Sequence, residues 1–102
     1  MRYEDEIVEK GLTAPRVTPE RIEEVIDSIE YLYSGVNTIC LITLVNGWIV
    51  KGFSACVSEA NYNKSLGENI ARDNAKNEIW SLEGYLLKNR LYEARELDDA
   101  TI

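Results

Sequence analysis

The chain has 102 residues, 45% hydrophobic and 28% charged, with a formal net charge of −7, which fits one globular domain with a single modest core. So acidic a chain is not a general DNA or RNA binder, which would need clustered Lys and Arg, although a few local cations can still hold a small anion. Histidine is absent, removing the commonest general base and the commonest metal ligand together, and no apolar run approaches the roughly 20 residues of a membrane span.

Residues 1–16 are polar, begin with the charged run Met1-Arg2-Tyr3-Glu4-Asp5-Glu6 and end at Ala14-Pro15-Arg16. They read as a loosely attached arm and not as a secretory leader. Thr18 is a plausible N-cap, with Pro19 at the first helical position and Glu20 in the first turn. Ile22, Val25, Ile26, Ile29 and Leu32 then recur at helical spacing, predicting an amphipathic helix to about Tyr33 that stops at Ser34-Gly35.

A β-hairpin is expected next, Thr38 to Val45 and Trp48 to Ala55, joined at Asn46-Gly47, the strongest short-range hairpin signal. A two-residue turn there sets Cys40 opposite Phe53. One face then carries Ile39, Leu41, Thr43, Val45, Trp48 and Val50, and the other Cys40, Ile42, Leu44, Ile49 and Phe53. Half-exposed strands normally alternate apolar and polar, so two greasy faces call for cover. Ser58 to Asn63 is a polar connection. A second helical region starts near Lys64, with Ile70, Ala71, Ala75, Ile79, Leu82 and Leu86 inward and Arg72, Asp73, Lys76 and Asn77 outward. Gly84 leaves open one long helix or two shorter ones. Past Leu91 the chain is polar, and residues 97–102 are expected to fray.

This order gives an α+β fold: an N-terminal helix, an antiparallel β-hairpin and a C-terminal helical region in one domain over residues 17–96. A lone hairpin is marginal and exposes two edges, so a homodimer or higher homo-oligomer is expected, hairpins meeting edge to edge or face to face. The alternative is that the helices cover one face and the N-terminal arm the other.

Catalytic patterns are sparse. Without histidine there is no Ser-His-Asp or Cys-His set. Cys40 and Cys56 lack a CxxC partner or flanking cation and read as free thiols of a reducing cytoplasm. The carboxylates Glu20, Glu23, Glu24, Asp27 and Glu30 fall on a polar helix side, and nothing forms a GxGxxG or Walker loop. No metal, cofactor or enzymatic activity is expected.

A binding constellation surrounds the start of the second helical region. Tyr62 offers a flat surface, Asn61 and Asn63 offer amides, and Gly67 admits close backbone approach. Arg72, Asn74, Lys76 and, farther on, Arg90 follow. Aromatic, guanidinium and amide together suit a nucleotide. The plainer readings stand beside this one: Tyr62 as a lid on the core, Asn63 as a helix cap, Trp80 and Tyr85 as core or interface. Asn74 lies near the buried stripe, where an unpartnered amide is costly.

The segments Gly52-Phe53-Ser54-Ala55-Cys56-Val57-Ser58, Asn61-Tyr62, Ile70-Ala71-Arg72-Asp73-Asn74-Ala75 and Ile79-Trp80-Ser81-Leu82-Glu83-Gly84-Tyr85-Leu86-Leu87 resemble a small family of bacteriophage and prophage proteins with the pattern G-x-S-A-C-V, N-[FY], I-A-x-x-N-A and I-W-x-L-E-G-Y-L-L. The likeness runs from about Thr18 to Leu91. That family is similar to the first-described Thoeris anti-defence proteins, phage sponges that bind cyclic ADP-ribose isomers and in some cases cyclic di- or trinucleotides without cleaving them. The resemblance implies a non-catalytic sponge in the host cytoplasm, with ligand between subunits. Tyr62 and Asn74 are the matching ligand positions, and Asn61, Arg72 and Arg90 are neighbouring candidates. Two departures stand out: Ser81 where many relatives carry proline, and Tyr62 where phenylalanine is usual. The alternative function is a non-catalytic phage accessory protein acting on a host factor by protein–protein contact.

Overall fold

The computed structural model describes residues 14–100, with side chains described to residue 95. The order is α1 (Pro19–Glu24), β1 (Ile26–Ser34), β2 (Asn37–Leu44), β3 (Ile49–Ala55), a 3₁₀ turn (Glu59–Asn61) and α2 (Lys64–Ala100). The strands form one antiparallel sheet in the order β1-β2-β3, and α2 crosses one face of it. The expected arm lies outside the described residues up to residue 13, and the expected tail lies outside them beyond residue 100. Among the described residues no helix is long and apolar enough to cross a membrane.

The α+β class stands, but the first helix is far shorter than its periodicity suggested. Thr18 Oγ1 accepts from the Arg21 amide at 3.2 Å, with Pro19 opening the helix as expected. The helix closes at Val25, whose carbonyl accepts from the Val45 amide at 2.9 Å. Residues 26–34 are therefore a strand. Ile29, Tyr31 and Tyr33 lie opposite Ile42, Cys40 and Thr38, a period-two pattern of β-branched and aromatic residues that overrides the helical one once β2 is there to pair with. Gly35, read as a helix stop, is instead the first residue of a two-residue hairpin turn at φ +58°, as a II′ turn requires.

The second hairpin exists, one residue out of the expected register. Ile42 faces Val50, and Cys40 faces Gly52 instead of Phe53. The loop has three residues, 45–47. The Leu44 amide donates to the Trp48 carbonyl and the Gly47 amide to the Leu44 carbonyl, each at 2.8 Å, while Gly47 sits at φ +91°, the type I turn plus left-handed residue of three-residue hairpins. A one-residue slip exchanges faces. Val50 joins Thr38, Cys40, Ile42 and Leu44 under α2, while Ile49 and Phe53 go to the outer face with Ile39 and Leu41.

The helix α2 runs unbroken through Ser81 and Gly84. Its inward residues Ala71, Ala75 and Ile79 are fully buried with Ile22, Ile42, Cys40 and Val50, whereas Ile70, Leu82 and Leu86, expected inward, are exposed. Small residues set this packing: a Cβ on Gly52 would overlap the Ala71 carbonyl oxygen and the Ala75 amide nitrogen. Helix and strand therefore meet backbone to backbone. This closeness lets the Asn74 amide reach the Phe53 carbonyl at 2.8 Å and Glu78 accept from the Lys51 amide at 3.3 Å, occupying the outer edge of β3. Glu83, buried, pairs with Arg21 at 2.9 Å and ties α1 to α2. Both cysteines are free, Cys40 buried and Cys56 partly so.

Gly52→Ala should be the most damaging one-carbon change in the molecule. Overpacking a filled core costs ~1–3 kcal/mol, and backbone atoms cannot rotate away. We expect the upper end of that range, seen as a fall in Tm of about 10–20 °C in a circular-dichroism melt; an unchanged Tm would refute the contact.

Candidate functional site

The elements that place the candidate residues meet at one end of the sheet, where β3 leads through the 3₁₀ turn into α2. Ser58 caps that turn by accepting from the Ala60 amide at 3.3 Å. Asn63 caps α2: its Oδ1 accepts from the Leu66 amide at 2.9 Å and its carbonyl from Gly67 at 2.9 Å. The cap reading of Asn63 thus holds. It leaves the Lys64 and Ser65 amides without intrahelical acceptors, as at any helix start.

Asn61 and Tyr62 line a cleft of about 120 Å³ with Asn63, Leu66, Gly67 and Ile70. Gly67 plays another part from that expected. A Cβ there would stand 3.0 Å from Thr38 Oγ1 and 3.4 Å from Ser54 Oγ, so its smallness serves the seat of the helix on the sheet. Ser54 Oγ donates to the Gly67 carbonyl at 2.7 Å, while Thr38 Oγ1, fully buried, has no partner. A wider hollow of about 450 Å³, lined by Asn37, Thr38, Ile39, Phe53, Ser54 and Ala55, shares Ser54 and Ala55 with the cleft and continues it towards the outer face.

Beside the cleft lies a ledge of aromatic and cationic groups on β1 and the adjoining side of α2. Arg72 donates through Nη1 to the Tyr31 hydroxyl at 3.1 Å and through Nη2 to Asn69 Oδ1 at 2.8 Å. Lys64 Nζ stands 4.7 Å from the centre of the Tyr33 ring, a cation–π distance. The Tyr33 hydroxyl donates to Glu68. That bond is the main reason the Tyr33 phenol is pushed up to about 12, with desolvation and the Glu68 charge adding to it and the nearby Tyr62 and Tyr31 contributing less.

The structure brings some of the expected residues together and not others. Tyr62 and Asn61 share the cleft, and Tyr62 and Arg72 both border the Tyr31–Tyr33 ledge. Asn74 lies on the opposite side of α2, where its amide donates to Phe53. Arg90 is sixteen residues beyond Asn74 on α2, about 24 Å along the axis. Sequence reasoning missed Tyr31, Tyr33 and Lys64 because it placed residues 26–33 in a helix; Tyr31-Leu32-Tyr33, an aromatic alternation, was the available signal. A second hollow, about 400 Å³ between α1 and α2, carries Glu23 and Asp73 beside Lys76, and Lys76 is already paired with Glu23 at 2.7 Å. Its charge balance disfavours an anion. Among the described residues no group of three or more His, Cys, Asp or Glu side chains could hold a metal ion.

The Tyr33–Glu68 bond exists only while the phenol is protonated, so its contribution is complete below the ordinary tyrosine value near 10 and is lost as pH rises through about 12. In an ultraviolet titration of the folded protein one tyrosine should ionise late, and Glu68→Gln should bring it back towards 10; an unchanged titration curve would refute the pairing.

No curated protein and no solved structure matches the chain. A family model does, over residues 17–91, from just ahead of α1 to well along α2. By that match the chain belongs to the Phage protein (N4 Gp49/phage Sf6 gene 66) family.

Proposed function

We propose that this phage-family protein binds a signalling nucleotide and sequesters it without cleaving it, silencing a host defence from within the host cytoplasm. The observation that carries the reading is the ledge where Tyr31, Tyr33 and Tyr62 adjoin Arg72 and Lys64 at the start of α2. A base stacks on tyrosine, and phosphate oxygens take a guanidinium and free helix-start amides. Glu68 sets one negative charge among these groups, so phosphate belongs at Arg72 and the Lys64–Ser65 amides, while a ribose hydroxyl suits the carboxylate.

Size argues for a shared site. Ligand pockets enclose roughly 300–1,000 Å³; the cleft holding Asn61 and Tyr62 offers only about 120 Å³, and the adjoining hollow of about 450 Å³ lies towards the outer face, where a second copy would wall it. A second copy completes it, and Asn74 and Arg90, remote from Tyr62 within one chain, then become available from a neighbour. Retention without turnover suits a chain with no histidine, since sequestration needs slow release and no general base. The resemblance to Thoeris anti-defence proteins points to cyclic ADP-ribose isomers, with cyclic dinucleotides and trinucleotides next.

A second reading, contact with a host protein, is favoured by the far part of α2, where Leu82, Tyr85, Leu86, Leu91 and Tyr92 are all exposed.

A ligand at 100 times its Kd stabilises the fold by about 2.7 kcal/mol. Thermal melts with cyclic ADP-ribose isomers and cyclic dinucleotides should therefore show a clear rise in Tm, reduced by Tyr62→Ala and by Arg72→Ala, with intact nucleotide recovered on denaturation. No rise with any such ligand removes the proposal. Recovery of cleaved product converts it to an enzyme, and a stable host protein co-purifying without small molecule favours the second reading.

A further inference from the structure

We infer that the outer face of the sheet is a self-complementary interface joining two copies of this chain about a two-fold axis that runs along β2. The inference does not depend on the nucleotide reading. Three rows of side chains cross this face, fixed by the strand register: Leu32, Ile39 and Phe53; Glu30, Leu41 and Lys51; Ser28, Thr43 and Ile49. Leu32 is 43% exposed, Ile49 50% and Phe53 57%. A chain with a core this small leaves five large apolar side chains (these three with Ile39 and Leu41) on one solvent-facing surface, the usual mark of a contact site.

Charge decides the occupant. Glu30 and Lys51 flank Leu41 on the two edge strands, roughly 10 Å apart given the spacing of neighbouring strands, with the Leu41 side chain between them. Neither takes part in an ion pair among the described residues. Rotation about an axis along β2 stacks the first edge strand of one copy over the third of the other. Each Glu30 then meets the partner's Lys51, each Leu32 meets the partner's Phe53, and Ile39 and Leu41 each meet their own counterparts. A two-fold across the strands would instead oppose Glu30 to Glu30 and Lys51 to Lys51, and would lay the Leu32–Ile39–Phe53 row on Ser28, Thr43 and Ile49. The first arrangement satisfies both the charges and the apolar rows. One positive and one negative charge in these rows also cancel, so copies of a chain with net charge −7 meet here without concentrated repulsion.

Edge-to-edge association is disfavoured on both sides. Asn74 and Glu78 occupy the Phe53 carbonyl and Lys51 amide of β3, and β1 carries a bulge at Asp27, between Ile26 and Ser28; each device blocks strand addition. Face-to-face stacking, with sheets about 10 Å apart and strands near −30°, remains open. It sets the two sheet ends bearing Tyr62 at the same end of the dimer, with the partner's Leu32 and Ser34 walling the hollow at Ile39, Phe53 and Ala55.

The test is sedimentation of the full chain at micromolar concentration, with far-UV circular dichroism as the check on folding. The wild type should be a dimer. Glu30→Lys and Lys51→Glu should each raise the dimer Kd at least about tenfold, because like charges are then opposed twice, and the double variant should restore it to within about threefold. Phe53→Asn, which changes no charge, should weaken it in the same direction. A folded wild-type monomer overturns the inference. A dimer indifferent to either reversal, or singles not rescued by the double, also overturns it, since another surface or axis would then hold the copies together.

Discussion

The approach of α2 to Gly52 is the constraint on which the rest of the molecule depends. Helices usually stand off a sheet by the thickness of their side chains; here Gly52, Ala71 and Ala75 bring the two backbones into contact. Burial of apolar area is consequently modest per residue, and the seat is fixed by shape more than by volume. Such a seat also fixes rotation about the helix axis. With Ala71 and Ala75 underneath, Lys64, Glu68 and Arg72 fall to the β1 side and Asn74 and Glu78 to the β3 side, each stripe at four-residue spacing. The aromatic ledge and the protected edge are two outcomes of one rotation.

The two faces of the sheet divide the molecule's tasks. The inner face builds the fold, closed by α1 through the Arg21–Glu83 pair, whose carboxylate is buried and would be costly without its guanidinium. Hydrogen bonding to Glu83 and its charge raise the Arg21 guanidinium further above its ordinary value. The outer face contributes little to the single chain and is apolar in its centre. Surface of that kind is retained where something covers it, which is the common ground between the expectation of assembly and the register observed.

Much of this was legible in the residues. Thr18-Pro19 marks its helix start, Asn46-Gly47 its turn, and Ala71, Ala75 and Ile79 their buried stripe. The strand β1 was not, because Ile22, Val25, Ile26, Ile29 and Leu32 satisfy a helical period while Ile29, Tyr31 and Tyr33 satisfy a strand period, and only the presence of β2 decides between them. The loop was misjudged by one residue, since Asn-Gly serves both two-residue and three-residue hairpins. Of the candidate site, the Asn61–Tyr62 cleft followed from local sequence. The partnership of Arg72 with Tyr31, 41 residues away in the chain, could not, because it depends on the strand that periodicity concealed. Asn74 was expected near the buried stripe, where an unpartnered amide is costly; the residue is exposed, and its amide donates to the Phe53 carbonyl.

The three-residue loop at 45–47 has a wider consequence for how this chain can vary. Its length fixes which half of β3 meets α2, and loss or gain of a single residue would turn the strand over. Lys51 would then be driven into the apolar seat at Ala71 and Ala75, and the glycine that admits the helix would face water. Insertions and deletions here are therefore filtered by parity: two residues can enter or leave with the alternation intact, whereas one cannot.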